Sequence, residues 1–366
     1  MALTRSEVKL IREAVAAVED PLEAARQAGL RYVSESAPGY TRRKRGRGWS
    51  FYAPDGSLVT DKETRARLAS LAIPPAWTEV WICSNSKGHI LATGRDERGR
   101  KQYIYHPQWN EIRNQRKYDK LLLFGEALPL IRERTDQDLR KHGLGREKVI
   151  ALLVRLLEST LIRVGNEEYR RANASFGLTT LRDRHVTIEG ATVEFTFKGK
   201  TSKEQVIRVQ DRRLARLVER CKDIPGYELF QYLDDDGKRQ RVDSGDVNDY
   251  LREITGENFT AKDFRTWGGT VIAVRALLEM GAAASKTEAQ RNVTAAVKRV
   301  AQELGNTPAV CRAYYIHPSV MSCYVEGTLH DLVPELDAEP PANAYALTPE
   351  EEALMAFLRE CRLRNS

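Results

Sequence analysis

Residues 184–209 read RHVTIEGATVEFTFKGKTSKEQVIRV, and this stretch decides the fold. Apolar and polar residues alternate through 184–197 and again through 204–209, a period of two that belongs to half-buried strands. Gly190 and the Gly199-Lys200 step supply the turns between them. The expectation is a hairpin or three-stranded antiparallel sheet. On both sides the pattern is helical. Upstream, about 75 residues after His106-Pro107 read as helix, broken at Pro129 and again at His142-Gly143-Leu144-Gly145. Downstream, helices resume at Asp211 and continue almost to the end. A small sheet inside a mainly helical body makes this part an α+β unit.

Further out the texture changes. Residues 6–29 read as two short helices, SEVKLIREAVAAVE and PLEAARQAGL, with Pro21 in a helical first turn and Gly29 as a stop. From Arg31 to Tyr105 come short alternating segments, GWSFYAP, EVWICSN, HILATGRD and KQYIYH, separated by Asp-Gly, Lys-Gly and Arg-Gly turns. They predict a small curled antiparallel sheet, interrupted by a helix over 61–73 that Pro74-Pro75 ends. Residues 333–349, rich in Pro, Ala and acidic side chains, read as a linker to a final amphipathic helix, EEEALMAFLRECRL. The expected organisation is a β-rich domain over 1–108, a mainly helical domain over 109–332, and an acidic linker and helix over 333–366.

The chain of 366 residues carries a net charge of +7. Residues 331–366 hold eight acidic side chains against three arginines, a net −5, which leaves +12 on the first 330. Such an excess attracts polyanions, nucleic acid first and anionic membrane second. No apolar run approaches the roughly 20 residues of a membrane span, and the N-terminus lacks a signal-peptide apolar core. The expectation is a soluble, cytoplasmic protein. Five cysteines (Cys83, Cys221, Cys311, Cys323, Cys361) and six histidines show no metal-ligand spacing. There is also no GxxxxGK[ST] phosphate loop. No metal and no cofactor are expected, so the chemistry rests on side chains alone.

Several segments of the helical part offer phosphate-directed groups, and their order matters. Arg163-Val164-Gly165-Asn166 with Tyr169 fits RxGNxxY, and Gly177–Leu181 follows as GLTTL. Phe197-Lys198-Gly199-Lys200 fits F-x-G-K, and Phe264-Arg265-Thr266 stands further on. Asn306-Thr307-Pro308 and Val310 lead to Tyr315, nine positions after Asn306, with Ile316-His317-Pro318 behind it. In order and spacing the set, from about Gly39 to Gly327, resembles the type IB DNA topoisomerases in their short bacterial and poxvirus-like form. The resemblance implies cleavage of one DNA strand through a 3′-phosphotyrosyl bond, rotation and religation, without metal or ATP. It also implies duplex DNA as partner and a monomer closing on it as a two-lobed clamp, at the bacterial nucleoid.

By the same resemblance the nucleophile lies nine residues after the Asn and directly before the Ile-His-Pro step, which selects Tyr315 over its neighbour Tyr314; two consecutive helical residues point about 100° apart, so only one can face the phosphate. A phenol with pKa about 10 needs positive charge to attack phosphorus at neutral pH. Arg163 and Arg265 match the residues that supply it, and guanidinium presents forked donors to the non-bridging oxygens. Lys200 matches the general acid that protonates the leaving 5′-oxygen. Asn306 stands where many relatives carry His. An amide donates a hydrogen bond but does not titrate, so its loss is expected to hurt less than loss of either arginine.

Gln102, Tyr103 and Tyr105 match family residues that contact DNA, as does Tyr169; glutamine can pair with adenine, and tyrosines pack on sugar or thymine methyl. The basic run Arg42-Arg43-Lys44-Arg45-Gly46-Arg47 reads as a glycine-broken, loop-borne phosphate contact, with 106–114 as hinge. Two rivals stand beside this reading. A tyrosine recombinase uses the same Arg, Lys, Arg and Tyr logic but carries HxLRH around its second arginine, where this chain has Lys262-Asp263-Phe264-Arg265-Thr266. A non-catalytic DNA-binding protein would need none of the catalytic positions kept here.

Overall fold

The computed structural model describes residues 21–46, 48–97, 99–200, 203–333 and 343–365. The helix expected over 6–19, Arg47 and much of the acidic linker lie outside the described residues. The chain divides into two compact units, Met1–Lys120 and Leu121–Ser366. The division falls within a long helix, not at residue 108.

In the first unit α1 (Pro21–Gln27) precedes a five-stranded antiparallel sheet of β1 (Gly39–Arg45), β2 (Gly48–Tyr52), β3 (Thr78–Cys83), β4 (Ile90–Arg95) and β5 (Lys101–Tyr105), in the order β2-β1-β3-β4-β5. Four of these strands follow the alternation seen in the sequence. The fifth does not, because β1 contains the basic run, expected as loop. Its pairing with β2, from Thr41↔Tyr52 to Arg45↔Gly48, makes Arg42–Arg45 a strand, and Gly46 takes the positive φ of 58° the turn requires. Helix α2 (Lys62–Ser70) is capped by Asp61, whose carboxylate accepts from the Thr64 amide at 2.7 Å. Its Leu68 joins Ile73, Val80, Ile82 and Ala92 in the core of the unit.

The long helix α3 (Pro107–Arg140) passes straight through Pro129, where the sequence predicts a break. A proline removes one helical hydrogen bond and crowds the carbonyl four residues back. Here that residue is Gly125, and Phe124, Leu128 and Ile131 are buried on both sides of the defect. Packing outweighs propensity. In the second unit α4 (Arg146–Thr160) is the central helix, with Val149 to Val154, Leu156 and Leu157 all buried. A helix apolar all round is a core helix.

After α5 (Glu167–Asn173), β6 (Val186–Glu189), β7 (Thr192–Lys198) and β8 (Glu204–Gln210) form the expected three-stranded antiparallel sheet, in the order β6-β7-β8. Then follow α6 (Arg212–Lys222), a short hairpin of β9 (Gln231–Leu233) and β10 (Arg239–Arg241), α7 (Ser244–Thr255), α8 (Ala261–Glu279), α9 (Lys286–Glu303), α10 (Pro308–Tyr314), α11 (Pro318–Val325), α12 (Leu329–Leu332) and α13 (Pro349–Asn365). The β9–β10 hairpin interrupts what the sequence reads as continuous helix. Its strands are three residues each, too short to show alternation, although Asp234 to Gly237 is a turn signal.

The last helix is part of this unit. Ala353, Leu354, Met355, Phe357 and Leu358 are buried, and Glu351 sits at its start as a polar anchor. Both Glu351 oxygens accept from Arg132 Nη2 at 2.8 Å, and Trp267 Nε1 donates to Oε1 at 3.1 Å. Arg132 also donates to Glu158 at 2.6 Å. Nothing in the periodicity of the acidic segment showed this ion cluster.

Candidate active site

The RVGN segment follows the end of α4. Leu161 caps that helix in the left-handed conformation, φ 53°, with its amide donating to Leu157 O. The chain then turns so that Arg163 and Val164 dock against the GLTT segment: Leu178 N donates to Arg163 O at 2.9 Å and Thr179 N to Val164 O at 2.7 Å. Gly165, at φ 104°, and Gly177 meet here, and a Cβ on Gly177 would lie 2.6 Å from Gly165 Cα. The two family motifs are thus one structure, two crossing backbones that only glycine allows to approach so closely. The Phe176 amide donates to Lys198 O at 2.8 Å, tying the same crossing to the β7–β8 hairpin whose tip carries Lys200.

Arg265 projects from α8 and is 3% exposed. Its guanidinium donates to Leu161 O and, at 2.8 Å, to Leu304 O; Nε has no acceptor among the described residues. Its carbon lies 5.1 Å from the centroid of the Tyr315 ring, and a side-chain hydrogen bond joins the pair. Arg163 donates from Nη2 to Asn306 Oδ1, and Asn306 Nδ2 is buried with no acceptor among the described residues. Burial lowers both arginine pKa values, and for Arg265 burial, with the Arg163 charge next, brings it to about 10. Arg265 therefore remains a cation at neutral pH. Among the described residues neither guanidinium forms an ion pair with a carboxylate.

Tyr315 closes α10. Thr307 caps that helix, accepting from Val310 N at 3.3 Å, and Pro308 occupies its first turn, which accounts for the Thr-Pro step as local structure. Tyr315 N still donates to Cys311 O at 2.9 Å, but its ψ of 0° takes it out of the helix. Behind it, α8 approaches through Gly269, where a Cβ would lie 2.6 Å from Tyr315 O. Gly268 makes the same room for Leu161, 2.7 Å from a hypothetical Cβ. Thr270 Oγ1 then accepts from His317 N at 3.2 Å. A glycine pair inside a helix costs roughly 1 kcal/mol per residue; the sequence carries that signal at TWGGT, and its meaning is close approach to the tyrosine. His317 is the N-cap of α11, with Nδ1 accepting from Ser319 N at 3.2 Å.

A cleft of about 340 Å³ gathers the set: Arg163, Lys200, Arg265 and Tyr315 line it together with Val164, Gly165, Asn166, Ser175, Phe176, Ala261 and Lys262. Asn306 stands behind Arg163, outside the lining. Tyr314 is 53% exposed and does not line the cleft. Lys262, one turn before Arg265 and exposed toward the cleft, adds a cation that the sequence reading passed over. Among the described residues no cluster of His, Cys, Asp and Glu could hold a metal ion, and no helix is long and apolar enough to cross a membrane.

The residues of the first unit that the sequence reading expects to contact DNA fall into two groups. Tyr103 and Tyr105 stack on one face of β5, ring centroids 5.7 Å apart, with Tyr103 exposed and Tyr105 half-buried against the cluster of Ala24, Ala25, Leu30 and Trp109, and Gln102 Nε2 is held by Asp96 Oδ2 at 2.9 Å. Arg43, stacked on Tyr52, Lys44 and Arg45 are exposed. Arg42 is different. It lies 4.0 Å over Trp49 and donates to the carbonyls of Ile73 (2.8 Å), Pro74 (2.5 Å) and Trp77 (3.2 Å), so its charge fastens β1 to the turn before β3. The side chain of Tyr169 lies outside the described residues.

Residues 106–330 match the family Eukaryotic DNA topoisomerase I, catalytic core, and residues 48–96 match Bacterial DNA topoisomerase IB, N-terminal domain. DNA topoisomerase 1B of Acanthamoeba polyphaga mimivirus is 30% identical over 293 residues, 78% of this chain and 87% of that protein. DNA topoisomerase I of monkeypox virus is 21% identical over 301 residues, 78% and 92% of the two chains. Among solved structures, the XerH site-specific recombinase in a post-cleavage complex with its palindromic substrate overlaps 52% of this chain and 47% of its own at 15% identity, with a TM-score of 0.33.

Proposed function

We infer the action of this chain from one premise, that it belongs to the type IB DNA topoisomerases. It is an ATP-independent DNA isomerase that relaxes supercoiled DNA by cutting one strand, letting it rotate, and resealing it. The assignment of roles rests on the site. One observation carries it: two guanidinium groups, Arg163 and Arg265, converge beside the Tyr315 ring, and among the described residues neither has a carboxylate partner and the buried donors Arg265 Nε and Asn306 Nδ2 have no acceptor. Cations drawn out of solvent and held only by neutral groups, carbonyls and a hydroxyl, are unfavourable unless an anion completes them. A phosphodiester is that anion.

In the reaction Tyr315 Oη attacks the scissile phosphorus and its proton passes to solvent. The bond to the 5′-oxygen breaks, and Lys200 Nζ delivers the proton that lets it leave as a hydroxyl. Arg163 and Arg265 stabilise the extra charge on the non-bridging oxygens at the transition state, and Asn306 orients Arg163 while offering Nδ2. The tyrosyl phosphodiester conserves the energy of the broken bond. Attack by the same 5′-hydroxyl, with Lys200 taking the proton back, reverses the sequence.

That Tyr315, Arg163, Lys200, Arg265 and Asn306 all lie within residues 121–366 of one chain supports the reading of a monomer. The first unit adds contacts through Tyr103, Tyr105 and the exposed Arg43, Lys44 and Arg45, and the two units act as a clamp on duplex DNA. The test is a covalent trap. On a duplex whose cleaved end diffuses away, the wild-type chain and Tyr314→Phe form a protein adduct on the DNA 3′-phosphate, and Tyr315→Phe forms none. An adduct that survives Tyr315→Phe sinks the assignment.

A further inference from the structure

Gln205 is a polar side chain in an inward-facing row. In β8 the exposure pattern turns Gln205, Ile207 and Val209 toward the interior and leaves Val206 55% exposed, and Gln205 stands opposite Phe197 in the ladder with β7. Its amide Nε2 is closed off from solvent and has no acceptor among the described residues. A buried donor without an acceptor lowers stability, so folding alone gives no reason for an amide at this position.

What the amide touches gives a reason. Two glycines from distant parts of the chain press on it. A Cβ on Gly305 would lie 2.6 Å from Nε2 and 2.9 Å from Cδ; one on Gly199 would overlap Nε2 and lie 2.8 Å from Cδ. Gly305 has a φ of 57°, which asks for glycine in any case. Gly199 is not in the left-handed region, and the space its missing Cβ leaves is filled by the end of the Gln205 side chain. Each glycine directly precedes a residue of the site, Gly199 before Lys200 and Gly305 before Asn306. The Gln205 amide is therefore clasped between the backbone that presents the lysine and the backbone that presents the asparagine behind Arg163.

We propose that Gln205 is a positioning residue for the leaving-group proton: its amide sets the hairpin tip against the Gly305-Asn306 turn, so that Lys200 meets the 5′-oxygen of the same phosphate that Arg163 holds. The proposal rests on the reading of Lys200 as general acid. Truncating the amide releases the hairpin tip from its stop while leaving Tyr315, Arg163 and Arg265 in place. The defect then falls on expulsion of an oxygen that needs a proton and spares a leaving group that does not.

The experiment is single-turnover cleavage by the full chain on two duplexes that differ in one atom at its mapped cleavage site, a bridging 5′-oxygen or a bridging 5′-sulfur, whose thiolate leaves unprotonated. Gln205→Ala slows the oxygen substrate about tenfold or more, a fraction of the roughly 10²–10⁴ that general acid catalysis supplies, and slows the sulfur substrate by less than about threefold. Gly199→Ala shows the same split, and the Gly199→Ala, Gln205→Ala double variant is no slower than Gln205→Ala alone, because the added methyl occupies the space the amide vacates. An unchanged oxygen rate in Gln205→Ala overturns the proposal, as does equal slowing of both substrates. Lys200→Ala separates the two levels. If it spares sulfur and Gln205→Ala does not, only the Gln205 inference fails; if it does not spare sulfur, the leaving-group assignment falls and takes the proposal with it.

Discussion

Arg265 is the residue at which stability and function oppose each other most directly. Its charge is buried, two neutral carbonyls satisfy part of its donor set, and Arg163 is a like charge in the same site. Removing a buried charge in favour of an apolar chain of similar length is often neutral or stabilising, whereas removing a donor to the transition state costs about 10²–10³ in rate. Arg265→Met should therefore lower the cleavage rate by at least about 10³ and leave the melting temperature of the DNA-free protein equal or higher. Calorimetry beside a single-turnover cleavage assay checks both halves, and a clear fall in melting temperature would show that the two carbonyl contacts outweigh the uncompensated charge. How far such a residue is legible depends on what defines it. Tyr315 and Arg265 are recognisable from order and spacing because the chemistry fixes their types. Gly268, Gly269 and Gln205 are not, since their roles are distances to Leu161, Tyr315, Gly199 and Gly305 that no local pattern contains.

Among the elements, the β6–β8 sheet shows how a strand pair is seated for chemistry. Its first strand begins beside His185, which is 8% exposed, accepts on Nδ1 from Arg182 N at 3.1 Å and packs its ring 4.4 Å from that of Phe176. Burial, and then the charges of Arg184 and Arg182, depress its pKa from 6.5 to about 4. The folded state thus refuses a proton that the unfolded chain accepts, so stability is full above about pH 6.5 and declines as pH falls toward 4. The span corresponds to roughly 3 kcal/mol at most. His185→Asn, whose Oδ1 can take over the acceptor role of Nδ1, should flatten that decline; urea unfolding at pH 7 and pH 5 measures it, and an equal slope in both proteins would place the acid sensitivity elsewhere. The sheet itself was legible because alternation over seven-residue strands is a strong signal. The continuity of α3 through Pro129 was not, because the packing of Phe124, Leu128 and Ile131 decides it. Nor was the docking of α13, which depends on Glu351 meeting Arg132, a partner 219 residues away.

For the molecule as a whole the governing quantity is charge, +7 in total with an acidic end and a basic body. Composition alone says that such a chain attracts a polyanion, yet it counts every cation equally, and the structure does not. Arg42 is held by three carbonyls and the Trp49 ring, while Lys44 and Arg45 on the same strand are exposed. Only a cation free to approach a phosphate displaces counterions, each contact adding about 0.9 to the slope of log K against log salt concentration. In a Tyr315→Phe background, which binds without cutting, replacing both Lys44 and Arg45 by Ala should reduce that slope by about 1–2 and leave thermal stability unchanged. Arg42→Ala should do the reverse, lowering stability by about 1–3 kcal/mol through three orphaned carbonyls and a lost stacking contact with little change in slope. Fluorescence anisotropy on a labelled duplex between roughly 50 and 200 mM salt, beside thermal melts, resolves the two patterns. Were Arg42→Ala to lower the slope as far as the pair while melting like the parent, the basic strand would act as one undivided phosphate contact, with no division of its cations between fold and binding.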